Sequence, residues 1–85
     1  MANVVIYRTT YCPYCDMAKR LFQKMGVEFQ EIDVTNDPET RLSLVERSGG
    51  RRTVPQIFID DVSVGGYTDV EALKKSGKLN EMLGL

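Results

Sequence analysis

A short β-branched and aromatic run, Val4-Val5-Ile6-Tyr7, is followed closely by an apolar stripe at Ala18, Leu21, Phe22 and Met25. The run is too short for a helix and reads as a buried strand. The stripe falls at i, i+3, i+4 and i+7, one face of a helix that has Pro13 at its first position and Gly26 at its end. Val27 to Val34 then reads as a second strand. A strand, a helix and a strand in immediate succession have essentially one solution. The helix crosses over and the second strand lies parallel to the first.

The rest of the chain fits around that unit. Asp37-Pro38 supplies an N-cap and an N1 proline, and Leu42 and Val45 give a helix face that stops at Gly49-Gly50. Gln56-Ile57-Phe58-Ile59 is a third strand, turned by Asp60-Asp61 into Val62-Ser63-Val64 as a hairpin. Thr68-Asp69-Val70-Glu71 matches a capping box and opens a final helix through Leu73, with Leu79, Met82 and Leu83 continuing an apolar face after a break at Gly77. The predicted order is β-α-β-α-β-β-α. It makes an α/β domain, residues 1–85, with a mixed four-stranded sheet and helices on both faces.

Composition removes several classes of function. A formal charge of −1 argues against nucleic-acid binding, which needs a cationic surplus to neutralise phosphates. No apolar run approaches the roughly 20 residues of a membrane span. The start, "MANVVIY", carries neither the basic region nor the cleavage site of a signal peptide, which leads to an expectation of the cytoplasm. There a purely structural disulfide is rare, and an i,i+3 pair closes too small a loop to staple a domain.

Both cysteines of the chain lie in "TYCPYCD", residues 10–16, and the sequence has no histidine. On the predicted map Cys12 is the exposed N-cap of the first helix, at the carboxyl end of the first strand, where open α/β sheets present their sites. Cys15 lies on the buried stripe. Pro13 leaves the helix start intact, because the first amides have no intrahelical acceptor. Those amides and the helix dipole favour a thiolate on Cys12. Such thiols fall from about 8.5 into a range of about 3.5 to 7.5. A nucleophile already ionised needs no histidine base. The implied chemistry is thiol–disulfide exchange, with Cys12 attacking and Cys15 resolving. Lys19, one turn beyond Cys15, reads first as a solvated helix lysine, with help to the thiolate as the alternative. Zinc or an iron–sulfur cluster would need more ligands than two thiols, so a metal reading requires a cluster shared across a dimer.

C-P-Y-C after a strand, then "TVPQIFID" at 53–60 and "GGYTD" at 65–69, resembles the glutaredoxins of the short bacterial dithiol kind over essentially the whole chain. The resemblance implies a thioredoxin-like fold, a monomer, no tightly bound cofactor or metal, and glutathione as the reductant. Its substrates would be disulfide-bonded or glutathionylated proteins, with ribonucleotide reductase among them. It further implies that Pro55 is cis and that the backbone of Val54, between Thr53 and Pro55, pairs with the cysteine of glutathione. Gly66 lets the backbone come close, while the amides of Thr68 and Asp69 meet the γ-glutamyl carboxylate and the Asp69 carboxylate takes the ammonium. Arg52, with Arg51 sharing the task, faces the glycyl carboxylate, and Tyr14 lines the groove. An enzymatic alternative is a redoxin of similar build reduced by thioredoxin reductase.

One position departs from the family. Glutaredoxins commonly carry a basic residue three positions before the first cysteine, where this chain has Thr9; the nearest cation, Arg8, lies one place earlier. A one-residue shift along a strand turns a side chain to the other face. Either the chain is irregular before Cys12, or Arg8 does not face glutathione.

Overall fold

The fold was analysed in a computed structural model that describes residues 2–85. Its elements are β1 (Val4–Arg8), α1 (Pro13–Lys24), β2 (Gln30–Asp33), α2 (Pro38–Arg47), β3 (Gln56–Ile59), β4 (Val62–Gly65), α3 (Tyr67–Ser76) and α4 (Lys78–Leu83). The strands form one sheet in the order β2-β1-β3-β4. β1 runs parallel to β2, with Val5 opposite Gln30, and antiparallel to β3, with Val5 opposite Phe58. No helix among the described residues is long and apolar enough to cross a membrane.

Alternation along β1 sorts the core into two layers. Val4 and Ile6 face one side, where they join Ala18, Leu21 and Phe22 of α1, Val70 of α3, and Leu79 and Leu83 of α4. Val5 and Tyr7 face the other side and meet Phe58, Val34 and Leu44 of α2. Arg47 lies over the Phe58 ring, 4.4 Å from its centroid, and donates to the Tyr7 hydroxyl at 3.3 Å, closing the α2 side with a cation–π contact.

Local signals fix most of the boundaries. Pro13 occupies the first turn of α1. At α2, Asp37 accepts from the Thr40 amide at 3.1 Å, ahead of Pro38. Asp60 and Asp61 both take positive φ, 51° and 66°, and make the hairpin turn. Asp60 also exchanges hydrogen bonds with Asn3, its amide donating to the Asn3 carbonyl and its carboxylate accepting the Asn3 amide, each at 2.8 Å. The hairpin is thereby tied to the start of β1.

The structure corrects the sequence reading at three places. β2 begins at Gln30 rather than Val27, because Val27 donates its amide to the Phe22 carbonyl at 3.0 Å and completes the turn out of α1. On α2 the buried residue is Leu44; Leu42, two positions away and therefore on the opposite side of the helix, is exposed. α3 is capped at Gly66, not Thr68, and the Asp69 carboxylate accepts the Gly66 amide at 3.0 Å. The break at Gly77 is found as expected: with φ 83° it ends α3, and the last apolar residues form a separate α4.

Phe22 is fully buried and packs against the Phe29 ring, centroids 6.2 Å apart. Its truncation to alanine leaves a cavity that so small a core cannot close. Phe22→Ala should lose about 3–5 kcal/mol, a large share of the roughly 5–15 kcal/mol available to a natural domain. Urea unfolding should show the midpoint falling with the slope unchanged; a loss under about 1 kcal/mol would mean that the α1 face is not the main core.

Candidate active site

Strand β1 ends at Arg8, and four residues later Cys12 caps α1 in an extended conformation with φ −156° and ψ 96°. Its Sγ accepts the Cys15 backbone N–H at 3.1 Å, so sulfur stands where a serine or aspartate oxygen caps other helices. Cys12 and Cys15 are joined as a disulfide, their Cα atoms 5.1 Å apart. Cys15 is fully buried, whereas Cys12 keeps 7% of its surface. The expectation of an exposed Cys12 therefore fails for this disulfide form, where the sulfur packs against Cys15 and its amide. The order of access survives, since only Cys12 meets solvent at all.

Two other elements converge on the head of α1. The Val54–Pro55 peptide is cis. The Pro55 carbonyl lies against Gly66 so closely that a Cβ there would sit 3.4 Å from its oxygen. The Tyr14 ring, more than half exposed, stands 6.3 Å from the Tyr67 ring at the start of α3. Tyr67 is held by a 2.9 Å hydrogen bond from its hydroxyl to Glu71, which raises its pKa. The sequence reading passed over Tyr67, although it lies inside the "GGYTD" run.

Asp69 accepts from both the Gly66 amide and Arg51, whose guanidinium lies 2.8 Å from the same carboxylate oxygen. The Gly66 hydrogen bond first, and then Arg51, hold this carboxyl below its ordinary range against the opposing effect of burial. Arg51 is thus engaged with Asp69. Arg52 enters no ion pair among the described residues. It lines a cleft of about 290 Å³ with Arg41, Leu42, Thr53, Val54 and Gln56. Gln56, directly after the cis proline and 3% exposed, donates to the Arg51 carbonyl at 2.9 Å and anchors the loop. A larger cleft of about 960 Å³ lies around Asn3, Val27 and Leu83, remote from the cysteines. Chemistry rather than size marks the site.

The Arg8 guanidinium is bonded within the chain. It pairs with Asp16 at 2.9 Å and Glu31 at 3.0 Å, and it donates to the Thr9 and Thr10 carbonyls at 3.1 and 3.3 Å. Lys19 is also paired with Glu31, at 3.3 Å, rather than directed to Cys15. Thr10 and Thr35 hydroxyls meet 3.1 Å apart, and the Thr10 hydroxyl donates to Asp33, so the segment before Cys12 is bonded on both sides.

A dithiol at a helix head, a cis proline and a second helix start form one surface, and the comparisons with known proteins agree with it. The glutaredoxin family model matches residues 4–64. The chain belongs to the glutaredoxin family. A Pseudomonas aeruginosa glutaredoxin is 51% identical over 83 residues, covering 98% of each chain. The solution structure of a Brucella melitensis glutaredoxin is 51% identical with a TM-score of 0.85, covering 98% of this chain and 89% of the other. A buckwheat glutaredoxin–glutathione complex superposes with a TM-score of 0.90 at 32% identity, covering 98% of this chain and 77% of its own. The expected thioredoxin-like fold is borne out, with one more helix than expected, and the activity of the family is thiol–disulfide oxidoreduction.

The depressed Asp69 carboxyl gives a pH test. A carboxyl whose folded pKa lies below its unfolded value, near 4, adds stability above that value. The contribution disappears as pH falls through the folded pKa. Asp69→Asn should therefore unfold at lower urea than the parent at pH 7, and the gap should narrow on acidification below about pH 4. A gap that stays constant down to about pH 2.5 would show that Asp69 is not held ionised by Gly66 and Arg51.

Proposed function

We propose that this chain is a cytoplasmic, monomeric, glutathione-dependent oxidoreductase, residues 1–85 acting as one unit, that clears glutathione from mixed disulfides and reduces protein disulfides. The observation that carries the reading is the Cys12 sulfur at the N-cap of α1, bonded to Cys15 and accepting its amide at 3.1 Å. When the disulfide is reduced, the same amide and the helix dipole stabilise a thiolate at that position.

The reaction runs in two forms. With a glutathionylated protein, the Cys12 thiolate attacks the glutathionyl sulfur, and the protein leaves as a thiolate that takes a proton. A second glutathione thiolate then attacks the glutathionyl sulfur on Cys12, giving glutathione disulfide and regenerating Cys12. With a protein disulfide, Cys12 forms a mixed disulfide and releases one thiol. Cys15 then loses its proton, attacks the Cys12 sulfur and releases the second thiol. The chain is left with the Cys12–Cys15 disulfide, and two glutathiones restore the dithiol.

Glutathione would lie across the surface described above. Its cysteine pairs with the Val54 backbone between Thr53 and Pro55, and its γ-glutamyl carboxylate meets the amides of Thr68 and Asp69 beside Gly66. Asp69 takes the ammonium, Arg52 the glycyl carboxylate, and Tyr14 covers the groove. Support comes from the first-turn position of these amides, from the unpaired Arg52, and from the buckwheat relative solved with glutathione. Disulfide-bonded and glutathionylated proteins are the substrates, ribonucleotide reductase one candidate among them. A cytoplasmic site follows from the reductant, whose pool maintains thiols there. The decisive assay supplies electrons either from glutathione and its reductase or from thioredoxin reductase. Turnover with the second source alone would replace this reading.

Two variants separate the cysteines. Cys12→Ser should abolish all exchange, whereas Cys15→Ser should retain deglutathionylation and lose most protein-disulfide reduction. Deglutathionylation retained by Cys12→Ser and lost in Cys15→Ser would exchange the two roles.

Arg52→Ala should weaken use of glutathione roughly tenfold, since a charge-assisted hydrogen bond contributes on the order of 1.5 kcal/mol and about 1.4 kcal/mol is one decade. Added salt should shrink the difference between parent and variant. An unchanged KM for glutathione at low salt would remove Arg52 from the site.

A further inference from the structure

Arg8 is a strand residue whose side chain is only 13% exposed, yet three of its four partners lie in the segment that delivers Cys12 or on the helix that carries it. Two are the Thr9 and Thr10 carbonyls, one is Asp16 in the first turn of α1, and one is Glu31 on β2. Burial opposes the charged guanidinium, but the hydrogen bonds to Asp16 and Glu31 outweigh it, so the pKa of Arg8 is raised. It stays a cation at any pH the protein meets.

The charged groups around the head of α1 are Asp16 and Lys19 on the helix, Arg8 on β1, and Glu31 and Asp33 on β2. Arg51 and Arg52 precede the cis proline, and Asp69 lies on α3. Several are balanced without Arg8. Lys19 pairs with Glu31, Arg51 with Asp69, and Asp33 is hydrogen-bonded to Thr35 and Thr10. Asp16 differs: its backbone amide bonds the Cys12 carbonyl at 3.1 Å, and its one ion-pair partner among the described residues is Arg8. An acid in the first turn suits the helix dipole, but it opposes a second negative charge forming on Cys12.

We propose that Arg8 is a positioning residue for the Cys12 nucleophile, pinning the Thr9–Tyr11 approach and cancelling the charge of Asp16 beside the forming thiolate. The inference rests on Cys12 being the attacking thiol, as proposed above. It assigns the cation one place from the family's position to the side of the sheet that α1 packs on, where it acts on the nucleophile rather than on the bound tripeptide.

The test uses the full, reduced chain in the Cys15→Ser background, reading Cys12 ionisation from ultraviolet thiolate absorbance and from alkylation rate against pH. Arg8→Met should lower the ionisation constant of Cys12 on the order of threefold, moving the midpoint up. Asp16→Asn alone should move it down, and adding Asp16→Asn to Arg8→Met should return it toward the parent. Asp16 is a half-exposed side chain, so its variant decides the matter even if Arg8→Met does not fold. A merely structural arginine would lower the melting temperature and leave the midpoint in place, which would overturn the inference. So would a midpoint indifferent to Asp16→Asn. A parent midpoint near 8.5 would instead overturn the Cys12 reading itself, and this inference with it.

Discussion

A helix begins with backbone amides that have no carbonyl to bond, and here one of them is bonded by sulfur. The rest of the site depends on that substitution. It puts Cys12 where the strand stops and the helix starts, so the sulfur is fixed by the backbone of both. It also spaces the second thiol, because Cys15 is the residue whose amide the cap receives. Pro13 can stand between them only because the first helical position needs no donor. The motif is therefore a helix start before it is a redox centre.

Around that start the fold brings together groups that lie far apart in the chain. Antiparallel pairing of β1 with β3 carries the cis proline to the same end of the sheet as Cys12, and the hairpin to β4 returns the chain to open α3 beside it. Gly65 shows how tightly this is drawn. With φ 93°, it leaves no room for a Cβ between Asp69 and Arg51, whose Nη1 would lie 2.8 Å from it. Room for their ion pair exists because the residue has no side chain. The two layers of the core hold this end of the sheet from both faces, so the three segments have little freedom to separate.

Much of this was legible because it is written locally. The β3 run, Gln56 to Ile59, matched residue for residue, and the starts of α1 and α2 followed from Pro13 and from Asp37-Pro38. The cis proline was legible only through likeness to a family, since nothing in "TVP" itself demands it. What escaped depends on tertiary register. The face of α2 was misread because Leu42 and Leu44 are equally apolar, and only packing against Val5, Tyr7 and Phe58 selects between them. The α3 cap was misread because Thr68 is a good N-cap by type, while Gly66 is set by the strand before it. The pairs Arg51–Asp69 and Arg8–Asp16–Glu31 join residues distant in sequence, and no periodicity announces them.

The absence of histidine has a consequence for how the parts divide their work. Most of the recognising groups in the proposed site are backbone: the Cys15 amide, the edge at Val54, and the first amides of α3. Backbone groups are held by the folding of the elements themselves and need no shell of side chains behind them. That economy suits 85 residues, which have few side chains to set aside for support. The charged side chains then serve mainly to balance one another. Arg51 faces Asp69, Lys19 and Arg8 share Glu31, and Arg8 takes Asp16 as well. Arg52, close to the cis proline, enters no ion pair among the described residues, which is why the proposed site gives it the anionic end of the ligand.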